Sequence, residues 1–368
     1  MLSQGPVRAE TAQKKKSYPP SPSPPDLLES LIWEDDYALD TQSHFWHDYL
    51  TMNLIDVTKS FATEDQCLDF LEGMRWPDGV RCPVCGNDKI SRVTREAKSK
   101  NKRNRIYTCL EKTCKHQFSA TAGTVFHNSH LPLTKWFMAI AIVMDAKKGM
   151  SALQLKEHLG IGSYRTAWYM VHRIRKAMVE LFPTKLSGIV EVDETYIGGK
   201  AKRRGVARKP RPKKDMVIGM RERGGRVRFF HVPNLKADTM KKLLDRHIAV
   251  ETKKIVTDSA IIYDFAMDAQ FQKKHESVNH SREWVKPGDI DIHTNTVESA
   301  FSLLKRGLIG SFHRVSIKHL HRYLAEFENR FNMRNDANRF EQTVRRMLTI
   351  EQMEYKELTA DPVQAEPF

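Results

Sequence analysis

The chain lacks the hydrophobic segments that membrane and secreted proteins need. Its longest apolar run, from Trp136 to Met144, is too short to span a bilayer and predicts a buried helix. Lys14, Lys15 and Lys16 precede a Pro- and Ser-rich stretch rather than an apolar core, so no secretion signal is expected. Only five cysteines occur in 368 residues, and we expect them not to form disulfides. These absences predict a cytoplasmic protein with no membrane partner.

Acidic residues are absent from 200–214, a segment that contains nine Lys or Arg residues. The whole chain has a formal net charge of +15, which points to a polyanionic partner. Clustered cations gain free energy by releasing counterions from phosphates. The alternative is a solvated, disordered basic loop. The segment supplies five candidate DNA contacts: Lys202, Arg203, Arg204, Arg208 and Lys209.

Four of the cysteines form two close pairs, Cys82 with Cys85 and Cys109 with Cys114. Two such pairs predict one structural Zn²⁺ in a closed tetrahedral site, and thus a zinc ribbon over residues 81–120. A redox dithiol is the alternative, but the βαβ context that it requires is missing. Cys67 falls on the apolar face of a short helix within the lead-in of residues 60–80, so we assign it to the core.

Residues 131–182 show helical patterns typical of a helix-turn-helix-like DNA-binding domain. Its second short helix would lie in the major groove, with Arg165, Arg173 and Lys176 on or near the polar face. A structural helical hairpin between two domains remains the alternative.

Asp193 and Asp258 each end an apolar, β-branched run, and Glu298 opens an amphipathic helix. Three carboxylates so placed could hold two Mg²⁺ ions for in-line phosphoryl displacement. Lys305 lies two helical turns after Glu298 and faces the same way. Taken singly, each aspartate also fits a strand-end turn residue, and Asn295 with Glu298 fits a helix capping pattern.

The order of elements predicts a multidomain α/β protein. Residues 187–335 combine strands and helices in the order of a ribonuclease-H-like mixed sheet. Residues 1–50 are Pro-rich and predicted to be disordered, and residues 336–368 are predicted to form a C-terminal tail.

Several motifs together resemble a known family. They include Arg75-Trp76-Pro77-Asp78-Gly79 before the first cysteine pair, the segment 192–199, the segment 293–298 and Leu304-Lys305-Arg306-Gly307. Over roughly residues 60–335 the chain resembles the zinc-ribbon bacterial insertion-sequence transposases of the ISXO type, in the DDE transposase superfamily.

The resemblance implies a ribonuclease-H-like fold, two catalytic Mg²⁺ ions that Mn²⁺ could replace, and cut-and-join chemistry on double-stranded DNA. Asp193, Asp258 and Glu298 then match the acidic triad, Lys305 the basic residue after it, and Asn295 a position near the active site. The expected reaction is cleavage at terminal inverted repeats followed by 3′-OH strand transfer, by a homodimer or larger assembly on DNA. Two alternatives remain: a zinc-ribbon DNA-binding regulator, and a metal-dependent nuclease without strand transfer.

Overall fold

The computed structural model describes residues 52–93, 105–198, 215–279, 285–286 and 288–360. The predicted Pro-rich extension of residues 1–50 and the whole basic segment 200–214 lie outside these ranges. Within the described ranges, no helix is long and apolar enough to cross a membrane.

Three groups of elements follow one another along the chain. The first group is α1 (Leu54–Ser60), α2 (Glu64–Arg75), β1 (Ile90–Val93), β2 (Ile106–Cys109) and β3 (Gln117–Phe118). The second group is α3 (Leu133–Asp145), α4 (Ala152–His158) and α5 (Tyr164–Ala177). The third group is β4 (Ile189–Ile197), β5 (Asp215–Glu222), β6 (Val227–Val232), α6 (Ala237–His247), β7 (Lys254–Asp258), α7 (Ile262–Ala266), α8 (Ala269–Gln272), β8 (His275–Val278), α9 (Asn295–Gly310) and α10 (Ile317–Asn332). Two helices follow, α11 (Arg339–Thr349) and α12 (Tyr355–Thr359).

The helix before the ribbon begins and packs as its sequence predicts. The Thr63 hydroxyl accepts a hydrogen bond from the backbone N–H of Gln66, and the Gln66 side chain accepts one from the Thr63 N–H, which completes a capping box for α2. Cys67 is fully buried in the core that α2 shares with α3, and its thiol lies 3.9 Å from the carbonyl oxygen of Phe61. The core assignment of Cys67 is confirmed.

A C-terminal tail is predicted over 336–368, and for the described part, up to residue 360, this prediction is wrong because two helices form there. Helix α11 places Phe340, Val344 and Met347 in the hydrophobic core formed by α2, α3 and α5. These three residues recur at helical spacing, so burying them favours a packed helix over an extended tail. The N–H of Val125 also donates to the carbonyl of Met347 at 3.0 Å. The chain therefore returns to its first helical core after the large sheet is complete.

Helices α4 and α5 pack against each other on either side of the connection 159–163. The Ser151 hydroxyl accepts from the N–H of Gln154 at 3.1 Å and caps the start of α4. Helix α5 ends at Ala177, five residues before the end of the predicted helical domain of 131–182.

A five-stranded mixed sheet forms the centre of the third group, in the order β6-β5-β4-β7-β8. The first three strands in this order pair antiparallel, while β4 pairs parallel with β7 and β7 parallel with β8. Helices α6 and α7 cover one face of the sheet, and α9 and α10 cover the other. Strand β8 was not predicted, because His275-Glu276-Ser277-Val278 contains neither an apolar run nor a regular alternation.

Gly219 in β5 allows α9 to lie close against the sheet. A Cβ atom at this position would stand 2.5 Å from the ring of Phe301 and 3.1 Å from the side chain of Val297, both on α9. Gly219 also pairs with Asp193 across the β4–β5 ladder. This close approach therefore sets the height of α9 above the part of β4 that contains Asp193.

A buried ion pair joins the second group to the third. Arg175 of α5 donates from Nε to Glu326 of α10 at 2.5 Å, and Arg330 donates to the other oxygen of the same carboxylate. All three side chains are buried, so breaking the pair would leave an uncompensated charge in the interior. The contact holds the helical domain against the sheet domain.

Candidate active site and zinc centre

Four cysteine sulfurs converge in the ribbon, as the spacing predicts. One Sγ each from Cys82, Cys85, Cys109 and Cys114 lies within 4.8 Å of the others. The Sγ atoms of Cys82 and Cys114 are 3.7 Å apart, and those of Cys85 and Cys109 are 3.5 Å apart. Zn–S bonds of about 2.3 Å in a tetrahedron place the sulfurs about 3.8 Å apart, so this donor set fits one Zn²⁺.

Each cysteine pair ends in a turn of the same shape. The residue after the second cysteine has a left-handed backbone in both, with φ of 71° at Gly86 and 44° at Lys115. In the first turn the Gly86 N–H donates to the Cys82 carbonyl at 2.9 Å. The backbone N–H of Asn87 lowers the pKa of the Cys85 thiol, which favours the thiolate that a metal binds.

Asp193 and Asp258 meet on neighbouring strands of the large sheet. Strands β4 and β7 pair in parallel, with Ile189 opposite Lys254. Continuing that register places Asp193 beside Asp258, because both lie four residues further along their strands. Strand β7 ends there while β4 continues, so the two carboxylates lie at an edge that is open to a ligand.

Glu194 joins the two aspartates, although it was not among the predicted site residues. One oxygen each of Asp193, Glu194 and Asp258 lies within 4.8 Å of the others. The Tyr263 hydroxyl of α7 donates to Glu194 at 2.9 Å and holds that carboxylate from the far face of the sheet. Among the described residues, this set of oxygen donors fits a divalent cation such as Mg²⁺.

The electrostatics of this cluster are those of a cation site. Burial, with the negative charges of Glu194, Asp258 and Glu298, raises the pKa of Asp193 to about 7, although the N–H of Glu194 donates to it and opposes the rise. Burial likewise raises the pKa of Glu194. A bound cation would relieve both effects by neutralising the crowded charge.

Glu298 lies across a cavity of ≈ 880 Å³ from this cluster, not within it. Asp193, Glu194 and Glu298 line the cavity together with three cations, Lys148, Lys305 and Arg306. One oxygen of Glu298 accepts from the Thr294 hydroxyl at 3.1 Å. The structure therefore places Glu298 and Lys305 at the predicted site. Lys148, which lies in the connection before α4 and far from the carboxylates in sequence, also lines this cavity and was not predicted.

The capping alternative for Asn295 is wrong. Thr294 is the N-cap of α9, and Asn295 is the first helical residue, exposed to solvent. The start of α9 is capped instead by Glu191 of β4. The Glu191 carboxylate is fully buried and accepts from the N–H groups of Thr296 at 2.8 Å and Val297 at 3.0 Å.

Glu191 thereby fixes the helix that contains Glu298 to the strand that contains Asp193. Its other oxygen accepts from Arg223 at 2.6 Å, and Arg223 also donates to the carbonyl of His293. Glu191 lies two residues before Asp193, on the same face of β4. The sequence offered no clue beyond a charged residue within an apolar strand.

We expect Glu191→Ala to lower the free energy of unfolding by about 3–5 kcal/mol, because it leaves Arg223 and two helix N–H groups without their partner. Urea denaturation would measure the loss. Glu276→Ala, which breaks an exposed pair with Lys286, is the matched control and should cost less than about 1 kcal/mol. Equal effects of the two substitutions would refute the capping role of Glu191.

The predicted DNA-contact residues of α5 do not share one environment. Arg165 is exposed and Lys176 is half-buried. Arg173 is only 3% exposed and donates to the carbonyl of His127 at 2.9 Å, so its placement on the outer polar face is wrong. The helix turns this residue inward, between the rings of Trp136 and Tyr169. The predicted contacts Lys202, Arg203, Arg204, Arg208 and Lys209 lie outside the described residues.

Two family descriptions match the chain: "Transposase zinc-ribbon domain" over residues 62–117, and "ISXO2-like transposase domain" over residues 185–332. An "uncharacterized protein in transposable element ISH50" from Halobacterium salinarum is 31% identical over 296 residues, which are 74% of this chain and 92% of the relative.

Among solved structures, the Mos1 strand transfer complex matches with 12% identity and a TM-score of 0.24, covering 58% of this chain and 79% of that one. So low a score supports no argument about either fold or function. The two family matches include the four ribbon cysteines and every described residue at the carboxylate site except Lys148. The chain therefore belongs to the ISXO2-like, zinc-ribbon insertion-sequence transposases.

Proposed function

We propose that this protein cuts DNA at the terminal inverted repeats of its element and transfers the resulting 3′-OH into target DNA. The observation that supports the proposal is the meeting of Asp193, Glu194 and Asp258 at an open sheet edge, opposite Glu298 and Lys305. The mixed sheet with helices on both faces supports a ribonuclease-H-like domain at residues 187–335.

The donor set fits a pair of Mg²⁺ ions, which Mn²⁺ could replace. Asp193 and Asp258 would hold them, with Glu298 reaching from α9 and Glu194 as a further oxygen donor. When bound, such a pair activates the attacking hydroxyl group and stabilises both the attacking and the leaving oxygen of an in-line displacement.

The cations that line the cavity would bind DNA phosphates rather than metal ions. Lys305 and Arg306 of α9 and Lys148 from the helical domain line the same space as the carboxylates. They would neutralise phosphates of the bound strand and hold the scissile one in line. Asn295, exposed on the first turn of α9, would contact DNA beside Glu298.

Binding of the element ends would involve several parts of the chain. The zinc ribbon and the helix-turn-helix-like pair α4–α5, through Arg165 and Lys176, would contact the inverted repeats. The basic segment 200–214 would bind phosphates beside the cleavage site. We propose that the protein acts as a homodimer or larger assembly on DNA and is associated with the nucleoid.

Lys305→Ala should slow cleavage by about tenfold or more while weakening DNA binding much less, because its charge counts most when the phosphate reaches its reacting geometry. Single-turnover cleavage and gel-shift assays on the same preparation would measure both effects. The matched control is Lys241→Ala on α6, whose cation pairs with Asp245 at the surface. Normal cleavage by Lys305→Ala would remove this residue from the site.

The proposed function is tested with a labelled duplex that ends in the element's inverted repeat, mixed with target plasmid and Mg²⁺. We expect nicked ends with a free 3′-OH, followed by joined products. Cleavage without joining would favour the metal-dependent nuclease. Specific binding with no cleavage would favour the DNA-binding regulator.

A further inference from the structure

A second cavity, of ≈ 540 Å³, lies in the helical domain, away from the carboxylates. Its walls come from the start of α5, from the segment 128–131 and from Tyr355 of α12. We propose that this cavity binds the phosphate group of a nucleotide, with Arg173 and the amino end of α5 as the anion site.

Arg173 is a buried charge without a counter-charge. It lines the cavity, is 3% exposed, and forms no ion pair with any carboxylate among the described residues. Its Nη2 donates to one backbone carbonyl, that of His127, and its Nε has no hydrogen-bond partner within the described chain. Burial lowers the pKa of Arg173. A buried cation without a counter-charge is costly, and an anion in the adjoining cavity would supply that counter-charge and an acceptor for Nε.

The start of α5 points to the same kind of ligand. This helix of 14 residues begins after Ser163, which makes no side-chain capping bond, and its first turn contains no acidic residue. Its first backbone N–H groups are therefore free of the usual side-chain cap, at the positive end of the helix dipole. Gly162, Ser163 and Thr166 line the cavity at this end, so a phosphate there could accept from these groups.

The remaining walls suit the rest of a nucleotide. Tyr169 and Tyr355, both half-buried, present aromatic surface to the cavity. Arg165 stacks on the ring of Tyr355 at 4.0 Å and adds a second cation at the rim. A base can stack on such rings while its phosphate lies at the helix end. The nucleotide could belong to a DNA strand or be free. The anion site itself does not depend on the proposed function, whereas its occupation by DNA does.

The anion site is tested by thermal unfolding of the full-length zinc protein in inorganic phosphate, against chloride at equal ionic strength. We expect the melting temperature to rise with phosphate in the wild-type protein. Arg173→Met should abolish this rise, because it removes the cation with which the phosphate would pair. No phosphate-specific rise in the wild-type protein, or an unchanged rise in Arg173→Met, would overturn the proposal.

Arg75→Met is the matched control. Arg75 is also partly buried beside a Trp ring, but it donates to the carbonyls of Ser119, Ala120 and Ala122, so its task is structural. This variant should lose stability and keep the phosphate response. Should Arg173→Met fail to fold, Ser163→Asp replaces it. A carboxylate at the N-cap should raise the melting temperature and remove the phosphate response.

A DNA-binding assay with a duplex of the element end separates the two sources. If a DNA phosphate occupies the site, Arg173→Met should bind about tenfold or more weakly, with a salt slope lower by about 0.9. If DNA binding is unchanged while the phosphate response is lost, a free nucleotide or phosphate is the occupant. A wild-type protein that responds to phosphate but never cleaves DNA would refute the proposed function and leave the anion site standing.

Discussion

Asp193→Asn and Asp258→Asn should each slow DNA cleavage by about 1,000-fold or more while leaving end binding nearly intact. Each substitution keeps the shape of the side chain but removes one of the crowded negative charges that hold the cations. Losing several kcal/mol of transition-state stabilisation corresponds to this change in rate. Cleavage and gel-shift assays on the same preparations would measure the two effects, and wild-type cleavage by either variant would exclude that residue.

The stability of Asp193→Asn shows whether its loss of cleavage comes from unfolding. In magnesium-free protein, the raised pKa of Asp193, about 7, means that its ionised form opposes folding above that pH. Asp193→Asn should therefore be more stable than the wild-type protein at pH 8, and the difference should shrink as the pH falls from about 7 towards 4. Urea denaturation across this range would show it, whereas a less stable variant at pH 8 would contradict the electrostatic account.

Cys85→Ser should remove the zinc and unfold the ribbon. The ribbon has a small core around Cys82, Tyr107, Cys109 and Phe118, so its fold depends on the metal, whose binding supplies on the order of 10 kcal/mol. Metal analysis and limited proteolysis within residues 81–120 would measure the loss. Cys67→Ser is the control. Cys67 is buried in the helical core, away from the ribbon, so this variant should keep one Zn²⁺ per chain. Full zinc content in Cys85→Ser would refute the four-cysteine site.

The sequence predicted those parts of the site that are encoded by local patterns. The two cysteine pairs indicate a metal by their spacing alone. Asp193 and Asp258 follow apolar runs that could be recognised as strands. Parallel pairing then brings the two aspartates together, as their positions at the strand ends suggest.

Three residues that reach or support the site through tertiary packing, Glu194, Lys148 and Glu191, were not predicted. Glu194 follows Asp193 in a strand, where alternation places neighbours on opposite faces, yet both carboxylates converge because β7 ends beside them. Lys148 comes from the helical domain, and Glu191 caps a helix more than a hundred residues away. No sequence period encodes such contacts.

Helical periodicity also misplaced Arg173. Its charge suggested an outward face, but the packing of α5 against α3 turns the side chain inward, over Trp136. Helix α11 packs against the same core through three buried apolar residues, which lie in a stretch rich in charge.

If Asp193 and Asp258 hold the divalent cations, anomalous diffraction from crystals of the full-length protein soaked in Mn²⁺ will locate them there. We expect Mn²⁺ peaks between these two carboxylates, with Glu194 or Glu298 as a further ligand, and no such peaks in crystals of Asp193→Asn. Mn²⁺ bound elsewhere, with none at this sheet edge, would contradict this assignment.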